Sequence, residues 1–177
     1  MSSIFGAKTN VLLTGDPGCG KTTLIKDVIS VVGKSAGGFY TDEIRERGIR
    51  QGFNIVTLNG VKVILSHVDF KHSYRVSKYI VDVNALETVA APAVMRAIEI
   101  RDIIIIDEIG KMELFSSAFQ DAVEQALDSP KKVLGTIMRA ASPFADAIKR
   151  RDDVEIITLS RANRDAVHAN VLSWLQA

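Results

Sequence analysis

Val11-Leu12-Leu13 is an uninterrupted apolar run that stops at once in Thr14-Gly15-Asp16-Pro17-Gly18-Cys19-Gly20. Such a run, halted by turn residues, reads as a strand buried on both faces, the mark of a parallel sheet. Ile103–Ile106 reads as a second buried strand, and Val133–Ile137 and Val154–Leu159 as two more. Between them the apolar period lengthens to that of a helix. Leu24, Ile25, Val28, Ile29 and Val32 share a face from about Lys21 onward. Phe119, Ala122, Val123, Ala126 and Leu127 share another, with Ser117 and Gln120 as its cap. A short helix is expected near Pro143–Arg150 and a closing one from about Asn163 to Leu175. Asn84 with Glu87 resembles a cap for one more helix, which Pro92 is expected to split in two.

From Gly37 to about His67 the pattern changes to alternation. Phe53–Leu58, Asn59-Gly60 and Val61–Leu65 predict a hairpin closed by a two-residue turn, and Tyr79–Val83 suggests a further strand. Strands alternating with helices imply right-handed crossovers. The expected fold is α/β: one domain over 1–177 in three layers. Its sheet is mostly parallel, with helices on both faces and an antiparallel β insertion at about 37–67. In such sheets ligands lie beyond the carboxyl ends of the strands.

Composition narrows the partners. The 177 residues carry 22 Lys and Arg against 21 Asp and Glu, so no global field exists to hold a nucleic acid or an anionic membrane. One cysteine and three scattered histidines give no disulfide and no zinc spacing. Met1–Gly6 shows no leader pattern, and the longest aliphatic run is too short for a bilayer. A cytoplasmic monomer is expected.

Gly15-Asp16-Pro17-Gly18-Cys19-Gly20-Lys21-Thr22 fits the phosphate-binding pattern G-x-x-x-x-G-K-[ST], followed by Thr23. Glycines let successive N–H groups converge on phosphate oxygens, and the helix behind points its positive end at the same anion. Lys21 supplies a point charge at the β- and γ-phosphates, and the Thr22 hydroxyl can ligate Mg²⁺. A dinucleotide fingerprint fails, because Thr23 stands where its third glycine belongs. Asp107, closing the run Ile103–Ile106, is placed to hold the Mg²⁺ shell opposite Thr22. Glu108, directly after it, is the candidate general base toward water.

Other residues keep two readings. Lys111 and Glu113 are either a charge near the γ-phosphate or a partner for Glu108, or else a surface ion pair. Arg139 falls on the ligand rim, as a transition-state cation or a solvated side chain. Arg45 and Arg50 fit a phosphate clamp, an acceptor site, a lid with Tyr40, or salt bridges with Asp42 and Glu43. Asn163 and Arg164 suit contact with the base, since an arginine plane stacks on any nucleobase. Cys19 reads as a small filler within the loop, and Trp174 as core or surface filler.

Together these segments resemble the THEP1 family of small P-loop nucleoside-triphosphatases. The resemblance rests on Gly15–Thr23, Gly38–Arg45, Arg50–Phe53, Arg75–Tyr79, Ile106–Leu114 and Asn163-Arg164, in one order along the chain. It implies a RecA-like fold with likeness to nucleotide kinases. It also implies slow, Mg²⁺-dependent hydrolysis of ATP, GTP, CTP and UTP with tolerance of the base. Ser77 departs from the pattern where glycine is expected, which bears on the turn before Tyr79. Two other functions share these residues: a kinase passing the γ-phosphoryl to a small acceptor, and a switch whose nucleotide state orders the insertion for a protein partner. Thymidine kinases also follow the metal aspartate with glutamate, but their zinc-binding cysteines are absent here.

Overall fold

The structure, a computed structural model, describes residues 5–177; Met1–Ile4, part of the segment without a leader pattern, lie outside the described residues. Among the described residues nine strands, β1 (Asn10–Thr14), β2 (Ala36–Glu46), β3 (Ile49–Thr57), β4 (Lys62–His67), β5 (Tyr74–Val76), β6 (Tyr79–Val81), β7 (Ile103–Ile109), β8 (Lys132–Ile137) and β9 (Val154–Thr158), form one sheet. Their spatial order is β5-β6-β4-β3-β2-β7-β8-β1-β9. The pairs among β2, β7, β8, β1 and β9 are parallel, and the remainder are antiparallel.

Alternation within the buried strands divides the core into two layers. Val11, Leu13, Ile103, Ile105 and Leu134 face α1 (Lys21–Val32) and α6 (Arg164–Gln176), where Leu24, Ile25, Val28, Val171 and Trp174 are buried. Leu12, Ile104, Ile106 and Val133 face α3 (Ala91–Ile100) and α4 (Ser117–Asp128), meeting Val94, Phe119 and Val123. Each such aliphatic side chain contributes about 1.5–3 kcal/mol on burial. The helix α5 (Pro143–Lys149) joins the second layer through Ala145 and Ile148. Among the described residues, no helix is long and apolar enough to cross a membrane.

Several local expectations are corrected. The antiparallel part does not stop near residue 67. It begins within β2, whose first half pairs parallel with β7, and continues through β6 to Val81. The Asn59-Gly60 turn is a three-residue loop, not a two-residue one. Thr57 N–H donates to Val61 O at 2.8 Å, and only Gly60 (φ +96°) adopts a positive φ there. A two-residue turn sits instead at Arg47-Gly48, both with positive φ, joining Glu46 to Ile49. Ser77 is itself at φ +55°, in the turn from Val76 to Tyr79.

The α4 cap is Ser116, whose hydroxyl accepts from Phe119 N–H at 3.1 Å; Ser117 is already helical, and Gln120 reaches back to Leu114 O. Asp82, not Asn84, caps α2 (Val83–Ala85). Pro92 does not split the helix. It occupies the first turn of α3, where no N–H is needed, and the chain enters from α2 through a π turn at Leu86–Ala90.

Candidate active site

The loop between β1 and α1 lies at the carboxyl end of β1, between β8 and the edge strand β9. Gly15 leaves no room for a side chain: a Cβ there would stand 2.5 Å from Leu159 O. Gly20 caps α1 without any side-chain hydrogen bond, so the first N–H groups of that helix have no side-chain acceptor at the cap. Lys21 Nζ arches back over the loop, donating to Gly15 O at 2.9 Å and Asp16 O at 3.1 Å. Cys19 packs its sulfur beneath Gly15. Gly15, Pro17, Gly18, Gly20, Lys21, Thr22 and Thr23 border a cavity of ≈ 740 Å³.

Across the rim, β7 runs past its aliphatic run to Ile109. Ile106 pairs with Gly135 and Ile109 with Ile137, so β7 uses one residue more than β8 over the same span. Asp107 and Glu108 occupy this bulge, and the peptide joining them is cis. Bulges re-aim side chains beside active sites. Here Asp107 Oδ2 accepts from Thr22 Oγ1 at 2.9 Å, while Oδ1 accepts from Thr136 Oγ1 at 2.5 Å. Asp107 is buried, and burial pushes its carboxyl above the ordinary range; Thr136, Thr22, the Thr41 backbone and Lys21 pull the other way.

Glu108 borders the cavity without a hydrogen-bond partner among the described residues. Burial first, then Asp107, raises its pKa, with Lys21 opposing. Glu113 is 4% exposed, so the surface-pair reading with Lys111 fails. A 3₁₀ turn at Glu113–Phe115 brings it back against Glu108. A Cβ on Gly110 would stand 2.4 Å from Glu108 Oε1 and 3.0 Å from Glu113 Oε2, so both carboxyls occupy the space that glycine leaves. Burial, and then Glu108, pushes the Glu113 carboxyl far up.

Lys111 borders the cavity and forms no salt bridge among the described residues. Arg139 also borders it and pairs with Asp16 of the loop. Arg50 borders it, pairs with Glu43 and lies 5.3 Å over the Phe53 ring. Burial works against the Glu43 charge, but hydrogen bonds from Arg50 and Arg45 prevail and lower its pKa. Arg45 stays in the hairpin, bound to Glu43 at 2.6 Å and Gly48 O at 2.9 Å.

Asn163 and Arg164 follow β9, on the far side of β1, and neither borders the cavity. Asn163 spends its amide on the turn, contacting Thr158 O and Ser160 N–H. Arg164 packs beside Gly20 and pairs with Asp27 at 3.1 Å.

Thr22 and Asp107 are hard oxygen donors already in contact, which suits Mg²⁺. Among the described residues, no group of three His, Cys, Asp or Glu side chains could hold a metal alone. Mg²⁺ characteristically takes one or two protein ligands together with substrate phosphates, so the residues present fit it.

The glycine loop before α1, its lysine, and the acid pair ending a central parallel strand define a P-loop NTPase. A family model described as NTPase matches residues 10–172. The nucleoside-triphosphatase THEP1 of Thermotoga sp. (strain RQ2) is 47% identical over 166 residues, 94% of this chain and 95% of that protein. The crystal structure of THEP1 from Aquifex aeolicus superposes with a TM-score of 0.87 at 39% identity, covering 95% of this chain and 99% of that one. The solution structure of a human cancer-related nucleoside triphosphatase gives 0.79 at 37%, covering 94% and 97%. The chain belongs to this NTPase family.

Proposed function

We propose that the protein hydrolyses nucleoside triphosphates to diphosphate and inorganic phosphate, using Mg²⁺ and accepting several bases. The observation that carries this reading is the contact between Thr22 and Asp107, with Glu108 next in the chain and bordering the same cavity as Lys21. The loop N–H groups and Lys21 bind the phosphates. Thr22 and Asp107 would hold Mg²⁺, which when bound offsets negative charge on the phosphate oxygens. Glu108 orients a water molecule and takes its proton; its raised pKa makes it a better proton acceptor than an ordinary carboxylate. Arg139, held by Asp16 at the cavity edge, adds positive charge beside the phosphates.

Tolerance of the base follows from what stands near the nucleoside end. Arg164 offers a guanidinium plane, while the Asn163 amide is taken up by its own turn. Stacking reads any base, whereas discrimination needs free donors and acceptors. Near-neutral charge favours small nucleotides over polymeric nucleic acid. The test is phosphate release from ATP, GTP, CTP and UTP with Mg²⁺ and with EDTA. All four should turn over only with metal; turnover of one base alone, or turnover unaffected by EDTA, would contradict the proposal.

A further inference from the structure

The cavity extends well past the groups that hydrolysis requires. Its walls run from the loop after β1 across β8, β7, β2 and β3 to Leu65 on β4. Five inter-strand steps of about 4.8 Å make this ~24 Å of sheet rim. The phosphate groups and Glu108 account for the β1–β7 end. With the base read onto Arg164, as proposed above, the nucleoside of the triphosphate lies beyond β1 in the opposite direction and leaves the rest of the cavity unaccounted for. Hydrolysis needs only a water molecule, of about 30 Å³, on the far side of Glu108.

That far side has a defined chemistry. Phe53, Leu65, Val76 and Met112 supply apolar wall, and Arg50 and Glu43 stand among them as a pair. Arg50 Nε is buried with no hydrogen-bond partner, and the guanidinium lies over the Phe53 ring. Most of the cations are already matched: Lys26 is paired with Asp42 and Arg50 with Glu43, so on this side of Glu108 Lys111 alone is without a salt bridge among the described residues, a single positive charge against a doubly charged phosphate. A flat, uncharged molecule with hydrogen-bond acceptors fits this lining, and a phosphorylated one does not.

We propose that this part of the cavity binds an uncharged nucleoside and that a hydroxyl of that nucleoside competes with water for the γ-phosphoryl group. The inference rests on the Glu108 site proposed above. The acceptor oxygen forms a bond to the γ-phosphorus. The bond from that phosphorus to the bridging oxygen breaks, its electron pair leaving on the nucleoside diphosphate, and the hydroxyl proton passes to Glu108.

The experiment incubates the protein with Mg²⁺, γ-labelled ATP and, in turn, adenosine, guanosine, cytidine, uridine, thymidine or AMP, and separates the products. Label should appear on at least one nucleoside, roughly tenfold faster than phosphate release without acceptor, as expected when the acceptor is bound in place. AMP should stay unlabelled. Val76→Arg, which fills the far wall, should abolish transfer while phosphate release stays within about twofold; Phe53→Leu, a gentler change, should weaken transfer in the same sense. Label found only in phosphate with all five nucleosides, or found on AMP instead, overturns the inference and leaves hydrolysis standing. Label on a nucleoside with no phosphate released supports this inference and removes the hydrolase reading. Neither product removes both.

Discussion

Thr136→Val exchanges a hydroxyl for a methyl of nearly the same shape at a fully buried position on β8. The hydroxyl's bond to Asp107 Oδ1, at 2.5 Å, is the strongest influence holding that carboxyl's pKa down against burial. A hydrogen bond to a charged group contributes about 1.5–3 kcal/mol, and the buried oxygen left behind has no water to replace it. In a chain of this size that corresponds to a fall in Tm of ~3–12 °C. The deficit depends on pH. Because the folded-state pKa of Asp107 is raised above 3.8, the native state keeps a proton that the unfolded state has released. Stability is therefore highest below the unfolded value and falls as pH rises through the folded one. Removing Thr136 raises the folded pKa further, so the variant should fall behind most at neutral and alkaline pH and least near pH 4. Scanning calorimetry at about pH 4 and 8, with a Mg²⁺ titration of nucleotide binding, reads both effects. Equal melting of the two proteins at both pH values, with an unchanged Mg²⁺ requirement, would refute the reasoning.

Three further outcomes follow from the same geometry. Gly110→Ala places a methyl 2.4 Å from Glu108 Oε1, so the acid must move; kcat should fall about 10²-fold with KM nearly unchanged, and unaltered steady-state kinetics would contradict this. In Glu113→Gln the group whose pKa is raised furthest above 4.5, by burial and then by Glu108, is made neutral. The wild type should lose stability as pH climbs from 4.5 through the folded value, whereas urea melts of the variant should be flatter with pH and show higher stability at about pH 8. Ser77→Gly removes a non-glycine residue from φ +55° in the β5–β6 turn, and should raise stability by about 1 kcal/mol without altering turnover.

What the chain reveals by itself is what lies close together along it. The parallel strands, the loop before α1 and the Asp107-Glu108 pair are contiguous segments whose apolar runs and turn residues carry their own signal. The bulge at Asp107 is different: it exists only in the register between β7 and β8. Thr136 is thus an ordinary strand threonine until that register sets it opposite Asp107. Glu113 keeps two readings in the sequence because nothing local shows that a 3₁₀ turn folds it under Glu108; the local hint is Gly110, between the two acids. The Arg47-Gly48 turn escaped because arginine seldom adopts the positive φ it holds there. The start of the antiparallel part is hard to read for a related reason: the single strand β2 serves the parallel core with its first half and the antiparallel strands with its second.

The account stands most directly on Glu108→Gln, which keeps the side chain's size and removes its capacity to accept the water proton. Nucleotide affinity, followed by fluorescence of a labelled ATP analogue with Mg²⁺, should stay within about twofold of the wild type, while single-turnover phosphate release falls ~10²–10⁴-fold. Phosphate released at the wild-type rate by the Glu108→Gln protein would contradict the assignment.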